Sequence, residues 1–395
     1  MIWSGSGRFW DHKGATVQGG SELLHKGKGW GHIMKAWVLH DIGDFRLEDV
    51  AEPVIGEDEV LVQVKAAGIC GSDIPRVFQT GAHRHPLVIG HEFSGVVTET
   101  GAKVSGDWKG KPVGVFPLIP CGRCLPCQRK LYEMCRNYGY LGSRRDGGFA
   151  EYVAVPAANL LELPKTVTFE EAAMLEPMAV AVHAMRRLSF SGTDTVAVCG
   201  LGTIGLLLVM FLKEAGVENI LAIGNKEFQK QAILGLGLSQ EQFFDSRKPD
   251  MREKFLAATG GAGADVYFEC VGKNATFAQA VEDTAAAGRI CLVGNPYSDM
   301  ALDKQTYWKI LRNQLTVTGT WNSSFTQDPG DDWHYVLKCL AHEKITPSGL
   351  ISHRLSLEEL GKGFGIMRDK TEDYIKIMVR LNSCNSSDRS AHSLR

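Results

Sequence analysis

The 395-residue chain has no apolar run approaching the ~20 residues that cross a bilayer as a helix, which excludes a helical membrane anchor. Neither sign of charge is in excess: 43 Lys and Arg stand against 45 Asp and Glu, a net charge of −2. A chain so balanced offers no broad basic field to nucleic acid or to an anionic membrane. No segment repeats at a fixed period, so solenoids and propellers drop out. Residues 1–33 lack apolar periodicity and a hydrophobic h-region, and so do not read as a secretory signal. The expectation for them is a disordered extension, or an upstream start read through before Met34. The polar tail 382–395 is expected to be loose as well. What remains is a globular chain of about two domains. It is expected to be cytoplasmic and to act on small molecules, with no nucleic-acid or membrane partner.

Cysteine is present, but not as a disulfide framework. Of ten cysteines, six are scattered, while Cys121, Cys124, Cys127 and Cys135 fall within fifteen residues as C-x2-C-x2-C-x7-C. Four thiolates this close converge readily on one tetrahedral Zn²⁺ in a closed, structural site. The alternative, buried or disulfide-bonded cysteines, fits poorly. CGRCLPCQRKLYEMC has hardly any aliphatic run to bury them, and disulfide scaffolds spread their cysteines along a small secreted domain.

Periodicity divides the chain. From Met34 to about Leu161, short alternating runs such as VLVQVKAAGI, FSGVVTETG and FAEYVAV are punctuated by glycines, which predicts a mostly antiparallel, barrel-like region. A helical stretch follows over Thr168–Leu188, interrupted at Pro177. Then TVAVCG, NILAIG, ADVYFECVG and GRICLVG alternate with helical segments, one of them from about Ala275 to Ala287. This pattern predicts a doubly wound parallel sheet and an α/β fold. After about Ser323 the pattern is mixed again, and KIMVRL reads as a closing strand.

Gly200, Gly202 and Gly205, with Thr203 and Ile204 between them, follow the strand TVAVC and open a helix. In that context G-x-G-x-x-G is a dinucleotide-binding turn. The first Gly turns tightly, the second admits the pyrophosphate, the third packs helix on strand, and the helix N-terminus answers the negative charge. After the second strand, ending at Ile223, an acid that would hold the ribose 2′-OH of NAD is missing; Gly224, Asn225 and Lys226 stand there. A 2′-phosphate can be accepted with Lys226 as partner, or Asn225 can hold the ribose hydroxyls of NAD; both coenzymes stay open.

Cys70 in GICGSD and His91 in GHEFSG each adjoin a strand-like run. Thiolate and imidazole both suit zinc. Either alone reads more readily as a packed or surface residue; the two together, upstream of a cysteine lobe and a dinucleotide turn, form a consistent set.

With GHEFSGVVTETGAKV, the cysteine lobe and the glycine turn in this order, the chain resembles the zinc-dependent medium-chain dehydrogenases, in their polyol branch, from Met34 to about Leu381. CGSDIPRVF, TGAHRHPLVIGHEFSG and LGSRRDGGFAEY are similar to the galactitol-1-phosphate 5-dehydrogenase subgroup. The resemblance implies a GroES-like, mostly-β catalytic domain over 34–187 with a return over 323–381, and a Rossmann domain over 188–322. It implies one catalytic and one structural zinc, NAD(P), and a homodimer or homotetramer joined through Rossmann sheet edges.

Residue by residue, Cys70, His91 and Glu176 would hold the catalytic zinc, and Glu92 would approach it when water is displaced. Asp73 would accept a hydrogen bond from His91, and Ser72 would begin a proton relay. Without the resemblance, Glu176 and Glu92 read as ordinary helix carboxylates. The implied reaction is oxidation of a secondary alcohol, the ion acting as a Lewis acid and the nicotinamide taking the hydride.

Arg144 and Arg145, adjacent in GSRRDGG, with Arg76, His83, Arg84 and His85 adding basic character to the same domain, are candidates for a substrate phosphate, against the reading of a solvated surface pair. The leading substrate is a sugar-alcohol phosphate such as galactitol 1-phosphate. Unphosphorylated polyols, diols or L-threonine are the alternative, and a non-catalytic zinc sensor or structural subunit the remote one. Two departures from the family pattern stand out: the linker GDWKGKPVGV, and the missing acid after the second cofactor strand.

Overall fold

Two sheets organise the chain. The computed structural model describes residues 32–296 and 298–381, so the expectations for the two termini lie outside the described residues. The first sheet runs in the order Leu160–Glu162, Pro112–Val115, Glu92–Thr100, Glu59–Ile69, Lys376–Arg380, Ile351–Ser356, with Tyr152–Pro156 also paired to Glu59–Ile69. All its pairs are antiparallel except the last, Ile351–Ser356 against Lys376–Arg380. The alternation read in VLVQVKAAGI becomes a strand whose inward residues Val60, Val62 and Val64 meet Val97, Val113, Phe93 and Phe149 in one apolar cluster. KIMVRL is the closing strand, and it returns from the far end of the sequence to pair with Glu59–Ile69.

The second sheet is wholly parallel, in the order Phe243–Asp245, Asn219–Gly224, Thr195–Cys199, Ala264–Glu269, Thr284–Leu292, Thr316–Gly319. Numbered along the chain, this is the 3-2-1-4-5-6 order of a doubly wound dinucleotide-binding sheet. Its central strands are mostly apolar and buried, as expected of a parallel sheet covered on both faces. The α/β reading and both architectures thus hold.

Two element readings are corrected. The predicted helix over Ala275–Ala287 ends at Asp283, and Thr284–Leu292 is a strand. Alanine favours helix locally, but Ala285 is drawn into the sheet beside Ala264–Glu269. The break in the Thr168–Leu188 stretch falls at Met174, between helices Phe169–Ala173 and Leu175–Arg186. Pro177 sits in the first turn of the second helix, where its missing N–H costs nothing.

Helix Leu175–Arg186 is buried on nearly every side. It packs on the coenzyme helix Thr203–Glu214 and on helix Asp332–Ala341. One continuous apolar cluster runs from Ala66 and Phe116 through this helix to Val196, Val198 and Phe268.

Candidate active site

Strand register assembles the site. Gly68 faces Glu92 across the antiparallel pair, so Cys70, just past one strand, meets His91, just before the next. Ile377 faces Ile69, which brings Lys376 to the same corner. One ligand atom from each of Cys70, His91 and Glu92 lies within 4.8 Å of the others. Lys376 Nζ pairs with Glu92 Oε2 and donates to the Ile69 carbonyl at 3.0 Å. Gly68 makes room for that pair: a Cβ there would stand 2.3 Å from Glu92 Oε2 and 2.7 Å from Lys376 Cε.

Asp73 is fully buried beneath this corner. Its Oδ2 accepts from the Cys70 amide at 3.1 Å, and its Oδ1 pairs with Arg76 and lies 3.4 Å from His91 Nδ1. Burial alone would raise the Asp73 carboxyl, but His91, Arg76 and the Cys70 amide together hold it below its usual value. At 3.4 Å the buried His91 Nδ1 makes no hydrogen bond, so the bond expected from His91 to Asp73 is not formed in this geometry. Burial disfavours an imidazolium at His91, yet Asp73 and Cys70 push it well above the usual imidazole value. A thiol, an imidazole and a carboxylate are a donor set that fits zinc, with a coordination position left over. Ser72 Oγ donates to Cys70 Sγ at 3.2 Å.

Glu92 stands among the three converging groups, and Glu176 does not join them. Glu176 lies in the first turn of the buried helix, and its Oε1 accepts from Tyr140 Oη at 3.2 Å. Burial raises its carboxyl to about 7, with Glu92 adding to the shift and His91 and Lys376 opposing it. Burial, Glu176 and Cys70 push the Tyr140 phenol well above its usual range, so it is a donor at neutral pH. Tyr140 and Lys376 were not singled out in the sequence. An aromatic and a lysine carry no motif, and only strand register brings them to the corner.

The cysteine lobe fits a second ion. Four sulfurs at about 2.3 Å from a tetrahedral centre stand about 3.8 Å apart. The observed separations are 4.0 Å for Cys121–Cys127, 3.5 Å for Cys124–Cys127 and 3.8 Å for Cys124–Cys135. These distances are far too long for disulfides. Amides of Arg136 and Cys127 pull the Cys124 thiol down to about 6.

The glycine turn has the geometry its sequence requires. Gly200 has φ +98°, and a Cβ on Gly205 would stand 2.0 Å from the Gly200 carbonyl oxygen. Gly202, at the helix N-cap, has open space where a Cβ would be. Thr203 Oγ1 donates to the Ile375 carbonyl, one residue before Lys376, and so ties the coenzyme helix to the Glu92 corner. Ile204 packs against the shared core. Past Gly224, the amides of Asn225 and Lys226 donate to Gln229 Oε1 at 2.9 and 3.2 Å, and Lys226 Nζ lies 3.6 Å from Asp373.

The two arginines diverge. Arg145 pairs with Glu59. Arg144 lies over the Tyr138 ring at 4.7 Å, and its buried Nε has no hydrogen-bond partner. Burial, Arg144 and Arg76 together lower His83, and Arg144 also lines a cavity beside the first hairpin. A cavity of about 460 Å³ opens between the first hairpin and the 144–147 loop. Cys70, His91 and Glu176 do not line it, and Arg84 and Arg145 at its wall already pair with Asp146 and Glu59.

Comparison with known proteins gives the same architecture. Residues 56–165 match the alcohol dehydrogenase GroES-like domain, and residues 203–342 match the zinc-binding dehydrogenase domain. Galactitol 1-phosphate 5-dehydrogenase of Escherichia coli K12 is 35% identical over 79% of this chain and 91% of its own length. L-threonine 3-dehydrogenase of Bacillus licheniformis is 34% identical over 81% of this chain and 91% of its own. A zinc-binding dehydrogenase of Sinorhizobium meliloti 1021, solved bound to NADP, superposes with a TM-score of 0.80 at 29% identity, covering 88% of this chain and 99% of that one.

Proposed function

The chain belongs to the zinc-binding medium-chain alcohol dehydrogenase family, and on that premise we propose that it oxidises a secondary alcohol of a sugar-alcohol phosphate, such as galactitol 1-phosphate, to a ketose phosphate with NAD(P). The observation that carries this reading is the convergence of Cys70, His91 and Glu92 on one point, tied through Lys376 and Ile375 to the start of the coenzyme helix. Residues 34–187 and 323–381 act as the catalytic domain and 188–322 as the coenzyme domain. One zinc is held at the Cys70–His91 corner, with Glu92 or Glu176 as the carboxylate, and a second in the cysteine lobe. When bound at the corner, the ion supplies Lewis acidity toward the substrate oxygen.

The chain's own residues do the rest. Asp73 orients Cys70 through its amide and, standing 3.4 Å from His91 Nδ1, would fix the ring and tautomer of His91 on closing that gap. Ser72, half-buried beside Cys70, receives the alcohol proton and passes it outward. Gly202 and the N-terminus of helix Thr203–Glu214 receive the coenzyme pyrophosphate, the open space at Gly202 admitting it.

Support for a phosphorylated substrate comes from the 35% relative and from Arg144, whose guanidinium lacks the carboxylate that Arg145 has. The threonine dehydrogenase relative keeps unphosphorylated substrates as the second reading. The experiment is a nicotinamide-absorbance assay of hexitol and pentitol phosphates and their dephosphorylated forms with each coenzyme. Turnover of threonine or free polyols alone would reject the phosphate assignment.

A dimer through the coenzyme sheet is part of the same proposal. The edge strand Thr316–Gly319 is exposed, and Tyr307, Trp308, Leu311 and Trp321 leave about half their surface open beside it. Exposed apolar area of this kind marks an interface. Sedimentation showing a monomer at micromolar concentration would exclude it.

A further inference from the structure

We propose that Tyr140 is a positioning residue that selects which oxygen of Glu176 is presented to the cation site of Cys70 and His91. The inference rests on the dehydrogenase reading of that corner and adds to it a residue that touches neither coenzyme nor ion.

Glu176 is buried at 7% exposure, and the hydrogen bond described for it comes from Tyr140 Oη to Oε1 at 3.2 Å. No described hydrogen bond reaches Oε2, which leaves that atom as the one available to a cation. A buried carboxylate with a single fixed donor has its rotation about the terminal torsion decided by that donor. The same tyrosine ring meets His91 edge-on, with centroids 5.8 Å apart and planes at 61°. One side chain thereby bears on both His91 and Glu176.

The backbone gives Tyr140 the rigidity that this role needs. Strand Gly139–Tyr140 pairs with Leu118–Ile119, Leu118 facing Tyr140. The segment that joins these two strands carries the four lobe cysteines, Cys121 to Cys135, and the Cys121 amide donates to Cys135 Sγ at 3.2 Å. The cysteine lobe closes the hairpin like a clasp, so its order passes to Tyr140 and from Tyr140 to Glu176. A lobe with no open ligand position is thus connected to the open one through two residues.

The test uses the full chain with cobalt substituted at the exchangeable site and zinc kept in the lobe. Tyr140→Phe removes the hydroxyl and keeps the ring. Expected are shifted visible cobalt bands and loss of cobalt to a competing chelator about 10-fold faster or more, with melting temperature and lobe zinc unchanged. In a Glu176→Ala background, adding Tyr140→Phe should change neither bands nor rate further. Glu176→Gln, the second variant, should also shift the bands. Wild-type bands and rate in either single variant overturn the role while the dehydrogenase reading stands. A shift seen only together with lost lobe zinc overturns it in favour of general packing. A wild-type chain that takes up no cobalt beyond the lobe overturns both readings.

Discussion

Lys376 and Glu92 stand 284 positions apart in the sequence and form an ion pair whose side chains are 2% and 1% exposed. Charges so deep in a protein are stable only while each has the other. Lys376→Met should therefore strand the Glu92 carboxylate beside Cys70 and His91 and cost about 3–5 kcal/mol of unfolding free energy. Adding Glu92→Gln should recover much of the loss. Urea unfolding of the two single variants and the double variant measures this; additive losses would refute the coupling.

Metal removal should separate the two cation sites. On the proposed reading, Cys70, His91 and one carboxylate leave a coordination position open at the corner, whereas the four lobe sulfurs enclose theirs. Mild chelation is expected to abolish hydride transfer with one zinc lost per chain and no change in circular dichroism. Cys124→Ser should instead lose the lobe zinc and lower the melting temperature. Metal analysis alongside the two readouts decides; simultaneous loss of both ions under mild chelation goes against the assignment.

The two arginines give a paired test of the substrate's phosphate. Arg144→Ala is expected to raise KM for a phosphorylated polyol by about 10-fold or more, consistent with losing a charge-assisted contact. KM for the dephosphorylated form should stay near wild type. Arg145→Ala, which frees Glu59, should leave that ratio unchanged. Equal effects of Arg144→Ala on both substrates would show that it does not read the phosphate.

Glu170 supplies a pH-dependent fastening. Burial raises its carboxyl, but Arg380 and Arg354 outweigh this and hold it below the usual carboxylate value. A carboxyl depressed in the folded state contributes stability above its unfolded pKa, and that contribution fades as pH falls through the folded value. Glu170→Gln should thus cost up to about 1 kcal/mol at pH 7 and flatten the acid limb of the stability profile below about pH 4.5. Denaturant titrations from pH 3 to 7 check it; parallel profiles for variant and wild type would remove the linkage.

Much of this was legible before the fold. Cys121, Cys124, Cys127 and Cys135 are local, and their spacing alone brings four sulfurs together. The roles of Gly200, Gly202 and Gly205 followed from a turn that needs three different things of three glycines. That Cys70 and His91 belong together was suggested by the pair standing upstream of a cysteine lobe and a glycine turn, and the strand register does bring them to one corner. Tyr140 and Lys376 were not legible, because their meaning lies in which strand lies beside which: Leu118 beside Tyr140, Ile69 beside Ile377. The same is true of Arg145, whose partner Glu59 is 86 positions away. Ala285 misled for the opposite reason, its local preference being overruled by the sheet.

The return of Lys376–Arg380 to Glu59–Ile69 also sets a timetable. As a nascent chain emerges from its N-terminus, all six strands of the coenzyme sheet, from Thr195 to Gly319, are out before the barrel's missing strand is made. The first-made half must wait, its Glu92 still lacking a counter-charge, until almost the last described residues arrive. Premature termination between Gly319 and Lys376 would leave a chain able to build the later-made sheet and unable to finish the earlier one.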